Sequence, residues 1–171
     1  MNIINKKGVF CGLLIPLFLK YVGFYIGKEG IDYYSEIHMT ELNSYMHTFF
    51  MPMSMYGFAL FFPKLFYINN IDIIEFQKFL YCFYMTHYMC INIYIGLLVS
   101  MFYYPVICYA NKFYLENNRN GFLKGVFYCF VGLAIQEYFG HYLSGDPPSR
   151  LEAIPNAILY AKYYSIYHIF Y

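Results

Sequence analysis

The chain has no tryptophan, and only 12% of its 171 residues carry a formal charge. Globular domains average roughly 25% charged residues. That scarcity argues against an ordinary soluble domain, and the apolar composition excludes a disordered tail. Eleven basic and ten acidic side chains leave a net charge of +1, so there is no basic surplus to bind nucleic acid or a phosphoinositide. Cysteine is sparse and unpaired in pattern: Cys11, Cys82, Cys90, Cys108 and Cys129 are odd in number and include no C-x-x-C. A disulfide framework and a zinc ribbon are thereby disfavoured. All five lie in apolar stretches, where the expectation is a buried free thiol. Also missing are a G-x-S-x-G elbow, a Walker loop, an H-E-x-x-H pair and a G-x-G-x-x-G turn.

What the chain does have is apolar length. Hydrophobic residues make up 60% of it, with 23 Tyr and 19 Phe. The joint excess of Tyr, Phe, Ile, Asn and Lys matches translation of an AT-rich gene, so the aromatic surplus carries no functional weight. Gly8 to Gly27 holds one charge, Lys20, over the length of a single bilayer span. It is longer than a signal-peptide core and no A-x-A site follows, so a retained helix is expected. Further apolar runs cover His47–Phe62, Phe79–Asn111, Gly121–Leu143 and Ile154–Tyr171. The third has 33 residues without one Asp, Glu, Lys or Arg, enough for one tilted helix or for two helices broken near Ser100 or Pro105. The runs are continuous rather than alternating, which excludes a transmembrane barrel. The expected fold is all-α: a single membrane domain of four to six apolar helices, with an N-terminal helix in residues 1–30 and a core in 31–171. A soluble all-α domain with a large core is the alternative. Lys and Arg occur in every connection, so the positive-inside count leaves the orientation undecided.

Ionisable residues within lipid are expensive and tend to be functional. Glu137 and His141 stand four apart and would share one face of an α-helix. Such a pair can ligate a metal, let the carboxylate orient the ring, or tie off a helix end. His38 and His47 are nine apart, half a turn out of phase on one helix. They converge only if the chain breaks within Met39–Ser44, with Asn43 or Ser44 capping the next helix. His87 lies mid-run near Tyr84 and Tyr88, and His168 follows Tyr164 by four. Five scattered histidines cannot form the H-x-x-x-H and H-x-x-H-H boxes of membrane di-iron enzymes. They suffice for a mononuclear site, and imidazole alone does not choose the metal.

Two blocks resemble the Mpo1-like (DUF962) family. Tyr34, His38, Asn43, His47 and Pro52 follow that family's Y-x-x-x-H-x4-N-x3-H-x4-P pattern. Gln136-Glu137-Tyr138-Phe139-Gly140-His141, then Pro148 and Asn156–Ala161, resemble its second block, one residue shorter. Here Glu137 stands where the family commonly has Gln, Lys162 replaces a Pro, and His168 falls where many members have Glu. The middle of the chain, Lys64 to Lys124, matches in hydrophobicity alone. The resemblance implies a multi-pass protein of the endoplasmic reticulum membrane. It implies an Fe(II)-dependent dioxygenase of fatty-acid α-oxidation, which shortens a 2-hydroxy fatty acid by one carbon with O2. Its metal ligands would be His38, His47 and His141, with His168 as a positional fourth. Asn43 and Glu137 would be the catalytic polar residues. Closeness in sequence to the second block makes Arg150 or Lys162 the candidate to meet the substrate carboxylate. Two other readings stand beside it: a non-catalytic member that keeps the fold, and a b-type haem protein using two of His87, His141 and His168.

Overall fold

A computed structural model describes residues 7–21, 32, 35–65, 73–116, 120–148 and 154–170. Among these the chain is all-α. It forms six long helices and one π-helical segment, with no strand. The helices are α1 (Lys7–Tyr21), α2 (Glu41–Leu65), α3 (Ile73–Ile91), α4 (Ile93–Glu116), α5 (Gly121–Ile135) and α6 (Ile154–Phe170). The π segment, Gln136–Tyr142, continues α5 without a break.

The 33-residue apolar stretch is divided at Asn92, not near Ser100 or Pro105. The Asn92 side-chain oxygen accepts the backbone N–H groups of Tyr94 (3.0 Å) and Ile95 (3.2 Å), the orphan donors that open α4. Pro105 sits inside α4, and Pro16, Pro52 and Pro63 inside α1 and α2. Proline in a helix interior costs about 3 kcal/mol in water, but it is common in helices that cross lipid.

Neighbouring helices run mostly antiparallel. Gln77 of α3 donates to the Ala59 carbonyl of α2 (2.6 Å), and Phe62 stacks near Phe76. Helix α5 lies against α2 along nearly its whole length. Gly57 and Gly125 make this crossing possible: a Cβ on Gly125 would lie 2.7 Å from the Phe61 backbone nitrogen, and one on Gly57 would strike the Cys129 backbone. Helix α1 is parallel to α3, with Gly12 against Phe79 and Cys82 and the Lys20 ammonium donating to the Cys90 carbonyl (2.9 Å). One end of the bundle therefore gathers the C-termini of α1, α3 and the π segment with the N-termini of α2 and α4.

The core is aromatic, and two of its hydroxyls bond main-chain carbonyls. Tyr88 donates to the Leu159 carbonyl (2.7 Å) and Tyr114 to that of Leu60. Tyr84, Met85, Ile95, Val99, Tyr103 and Tyr163 fill the larger cluster; Ala59, Leu60, Ala110 and Tyr114 form a second.

Ile93–Tyr114 and Gly121–Tyr142 are long and apolar enough to cross a membrane. Only 28% and 17% of those windows is buried within the bundle, so most of their apolar surface faces outward. The cysteines are free, as expected, but not buried: Cys11 and Cys108 are exposed and the other three half-buried. Their helices turn much of their surface outward, and thiols ride on those faces.

Candidate functional site

The chain breaks before α2, earlier than Asn43 or Ser44. Thr40 is the capping residue: its hydroxyl accepts the Asn43 backbone N–H at 3.3 Å. His38 thus lies in the turn that precedes α2, and His47 lies in the helix's second turn. The break turns two rings that would face apart on one helix toward each other. Their Nε2 atoms are 3.1 Å apart.

The third ring arrives from the π segment. In an α-helix His141 would share a face with Glu137; the wider i→i+5 turn aligns it instead with Gln136. The Leu143 N–H bonds the Tyr138 carbonyl (3.0 Å) in that pattern. Gln136, Gly140 and His141 point inward and are buried, while Glu137 is half-buried. The His141 Nε2 lies 3.3 Å from that of His47. His38, His47 and His141 are 2%, 5% and 1% exposed, and each offers a ligand nitrogen within 4.8 Å of the others.

These spacings fit a metal ion. Two nitrogens each ~2.1 Å from one ion are about 3.0 Å apart at a right angle and about 3.4 Å apart at the tetrahedral angle. The two Nε2 separations, 3.1 and 3.3 Å, fall within that span.

A polar shell fixes the three rings. Asn43 is fully buried and its amide donates to the Ile37 carbonyl (3.3 Å) and to Asp146 Oδ2 (2.8 Å). Its Nδ2 also lies 3.3 Å from His141 Nδ1. Gly140 leaves room for this amide: a Cβ there would be 2.7 Å from Asn43 Oδ1. Asp146 Oδ2 further accepts the Met39 N–H (3.1 Å), the Thr40 N–H (3.1 Å) and the Thr40 hydroxyl (3.0 Å). One carboxylate oxygen thus ties the loop after His141 to the turn between His38 and His47. Burial alone would raise the Asp146 pKa, but the hydrogen bonds from Asn43, Thr40 and Met39 outweigh it and hold the carboxyl below its ordinary value. From α6, Tyr164 donates to the His38 carbonyl (3.1 Å), and the Thr48 hydroxyl bonds the Ser165 carbonyl (2.7 Å).

The other residues singled out from sequence go elsewhere. His168 is outside the cluster. Its ring stacks on Tyr164 (centroids 6.0 Å), which in turn lies 5.4 Å from the His38 ring, so a tyrosine separates His168 from the three rings. His87 lies in α3 against Phe83, Tyr88 and Tyr160, also away from the three rings. A haem pair that includes His141 has no room for a porphyrin, because the His47 ring fills the space at its Nε2. Lys162 does not line the histidine site either. It is buried between α2, α3 and α4, donates to the Ile158 carbonyl (2.8 Å) and sits 3.9 Å from the centre of the Tyr84 ring. Arg150 lies outside the described residues. Glu137 lines an open cavity together with His141, Tyr138, Tyr142, Asp146 and Pro148. Asp146 and Gln136 were missed by sequence reasoning about function. Asp146 sits in a Gly-Asp-Pro-Pro turn with no spacing signal, and Gln136 shows its role only once the helix is known to be π.

No protein-family model, curated protein or solved structure matches this chain.

Proposed function

We propose that this chain is a multi-pass protein of the endoplasmic reticulum membrane that holds iron(II) on His38, His47 and His141. We propose further that it is a dioxygenase shortening a 2-hydroxy fatty acid by one carbon with O2. One observation carries the reading: three buried imidazoles from three separate stretches of chain converge at spacings a single ion would bridge. The Tyr-His-Asn-His-Pro and Gly-His blocks supply the resemblance that selects iron and the lipid substrate. Bound there, iron(II) supplies the redox chemistry with O2.

The chain's own residues do the rest. Three protein ligands leave coordination positions open for an oxygen-donor substrate. Asn43 and Asp146 hold the His38 and His141 backbones in register. The cavity beside His141 is lined by the exposed rings of Tyr138 and Tyr142, which stack on each other (centroids 5.6 Å) and offer an apolar wall for an acyl chain. Glu137, in the same cavity, is placed to take the proton of a substrate hydroxyl.

A second reading keeps the fold and drops the chemistry. It is favoured by the cavity lining, which includes Glu137 and Asp146 and no described Lys or Arg to meet a carboxylate. Elemental analysis of detergent-purified wild type and His141→Ala separates the two. About one iron per chain, lost in the variant, together with conversion of 2-hydroxyhexadecanoate under O2, supports the dioxygenase. A chain that stays metal-free after anaerobic loading with iron(II) is the non-catalytic member.

A further inference from the structure

The sequence scatters its basic residues over every connection, but the helix directions sort them. Helices α2 and α3 are joined by seven residues, and α4 and α5 by four, so the C-termini of α2 and α4 lie with the N-termini of α3 and α5. Parallel packing on α3 brings the start of α1 to the same end. That end carries Lys7, Lys64, Lys78, Lys112 and Lys124. Side-chain contacts confirm the grouping: Lys64 lies over the Tyr114 ring (5.7 Å) and Lys124 over that of Phe113 (5.0 Å). The opposite end, where the histidines converge, holds a single described lysine at a helix terminus, Lys20, which is engaged by the Cys90 carbonyl. The remaining described basic residue, Lys162, is buried within the bundle. Among the described helix ends the bias is five to one.

From this segregation we infer the orientation of the protein: the lysine-rich end lies against the anionic cytoplasmic leaflet, and the histidine cluster lies at the opposite, non-cytoplasmic leaflet. The inference rests on the membrane reading above. Lysine and arginine in short connections near span ends set orientation, while acidic residues contribute little. Each basic side chain near an anionic surface adds to the attraction. The depth also fits. From His47 to Lys64 along α2 is 17 residues, about 26 Å of rise, close to the ~30 Å hydrocarbon thickness. The ends are therefore at different leaflets rather than both within one. The orientation has a functional consequence. The cavity beside His141 opens at the histidine end, so its lipid is drawn from the non-cytoplasmic leaflet, and its metal is loaded from that side.

The test uses the full chain in sealed, cytoplasmic-side-out vesicles, with its five native cysteines replaced by serine or alanine. One probe cysteine is placed at Lys112, which is well exposed, and another at Glu41, exposed in the first turn of α2. A membrane-impermeant maleimide is expected to label Lys112→Cys at once and Glu41→Cys only after detergent permeabilisation. The reverse pattern overturns the inference, as does immediate labelling of both. Extraction of the protein by alkaline carbonate would instead remove the membrane reading itself. Lys162→Cys, buried in the bundle, serves as the unlabelled control. A second measurement guards against a disrupted fold: Lys64→Gln with Lys112→Gln and Lys124→Gln is expected to give a mixed orientation, seen as partial Glu41→Cys labelling in sealed vesicles.

Discussion

Two buried polar regions of this molecule are built on opposite plans. At one end, three histidines, Asn43 and Asp146 share a dense set of hydrogen bonds that joins segments about a hundred residues apart in sequence. In the middle, Lys162 is 4% exposed with one carbonyl and one aromatic face for company, and no carboxylate within ion-pair distance among the described residues. It borders a cavity of about 30 Å³, shared with Gln77, room for about two waters. Burying a polar group costs little when its partners are present and a great deal when they are not. The first region is therefore expected to hold the fold together, and the second to weaken it.

The sharpest way to break the contrast is Asn43→Leu, close to isosteric but without the amide. It strands the Ile37 carbonyl and removes a donor from Asp146. A loss of about 3 kcal/mol is expected, with one or two orphaned buried groups contributing 1–3 kcal/mol each. In thermal unfolding this is a fall of roughly 6–12 °C, and the proposed function adds weakened uptake of iron(II). Gly140→Ala comes next. The added methyl meets Asn43 Oδ1, and overpacking of this kind costs about 2 kcal/mol. Cobalt(II) titration should show weakened binding, since disturbing the groups that orient a ligand typically costs about 10–100-fold in affinity. Lys162→Met points the other way. Removing an uncompensated charge should stabilise the chain by about 1 kcal/mol, a rise of roughly 2–4 °C, with cobalt affinity unchanged. A destabilised Lys162→Met would mean that the two regions are built alike after all.

The smallest effect is a pH dependence. The Asp146 carboxyl is held below its ordinary pKa. A depressed folded value contributes stability above the unfolded pKa of about 3.9, and that contribution is lost as pH falls through the folded value. The stability gap between wild type and Asp146→Asn should therefore be constant from neutral pH down to about 4 and close below it. Urea titrations at stepped pH would show this. A gap that persists unchanged at pH 2 would assign the stability to packing of the side chain and not to its charge.

Much of this architecture was legible before any coordinates. Apolar run length pointed to helices and bracketed their number at four to six, because a long continuous run fits a helix and not a strand. Phase set the condition for His38 and His47 to meet, a break between them, since nine residues on one helix cannot bring two rings together; whether the chain broke there was not legible from phase. Three things were not legible. The division at Asn92 depended on a side-chain cap hidden in a run where proline was the louder signal. The alignment of Gln136 with His141 on one face depended on a π turn that periodicity arguments assume away. The place of Lys162 depended on which face of α6 meets α3, and closeness in sequence to the second block pointed to the wrong neighbourhood. Asp146 belongs with these: its importance lies in four donors from a segment more than a hundred residues earlier.

The π segment also acts as a one-residue counter. It stores a single extra residue in the helix that carries His141, between a glycine-rich stretch locked against α2 and a turn pinned by Asp146. Removing one residue from Tyr138–Phe139 would let the stretch relax to an ordinary α-helix in which His141 stands four residues after Gln136 instead of five, still on the same face. Relaxing to an α-helix with all seven residues kept would instead turn everything beyond it by about 100° and carry His141 off the inward face. The segment therefore tolerates the loss of its extra residue better than a change of helix type at constant length. Any sequence related to it should be compared by counting through that segment before its histidine is matched.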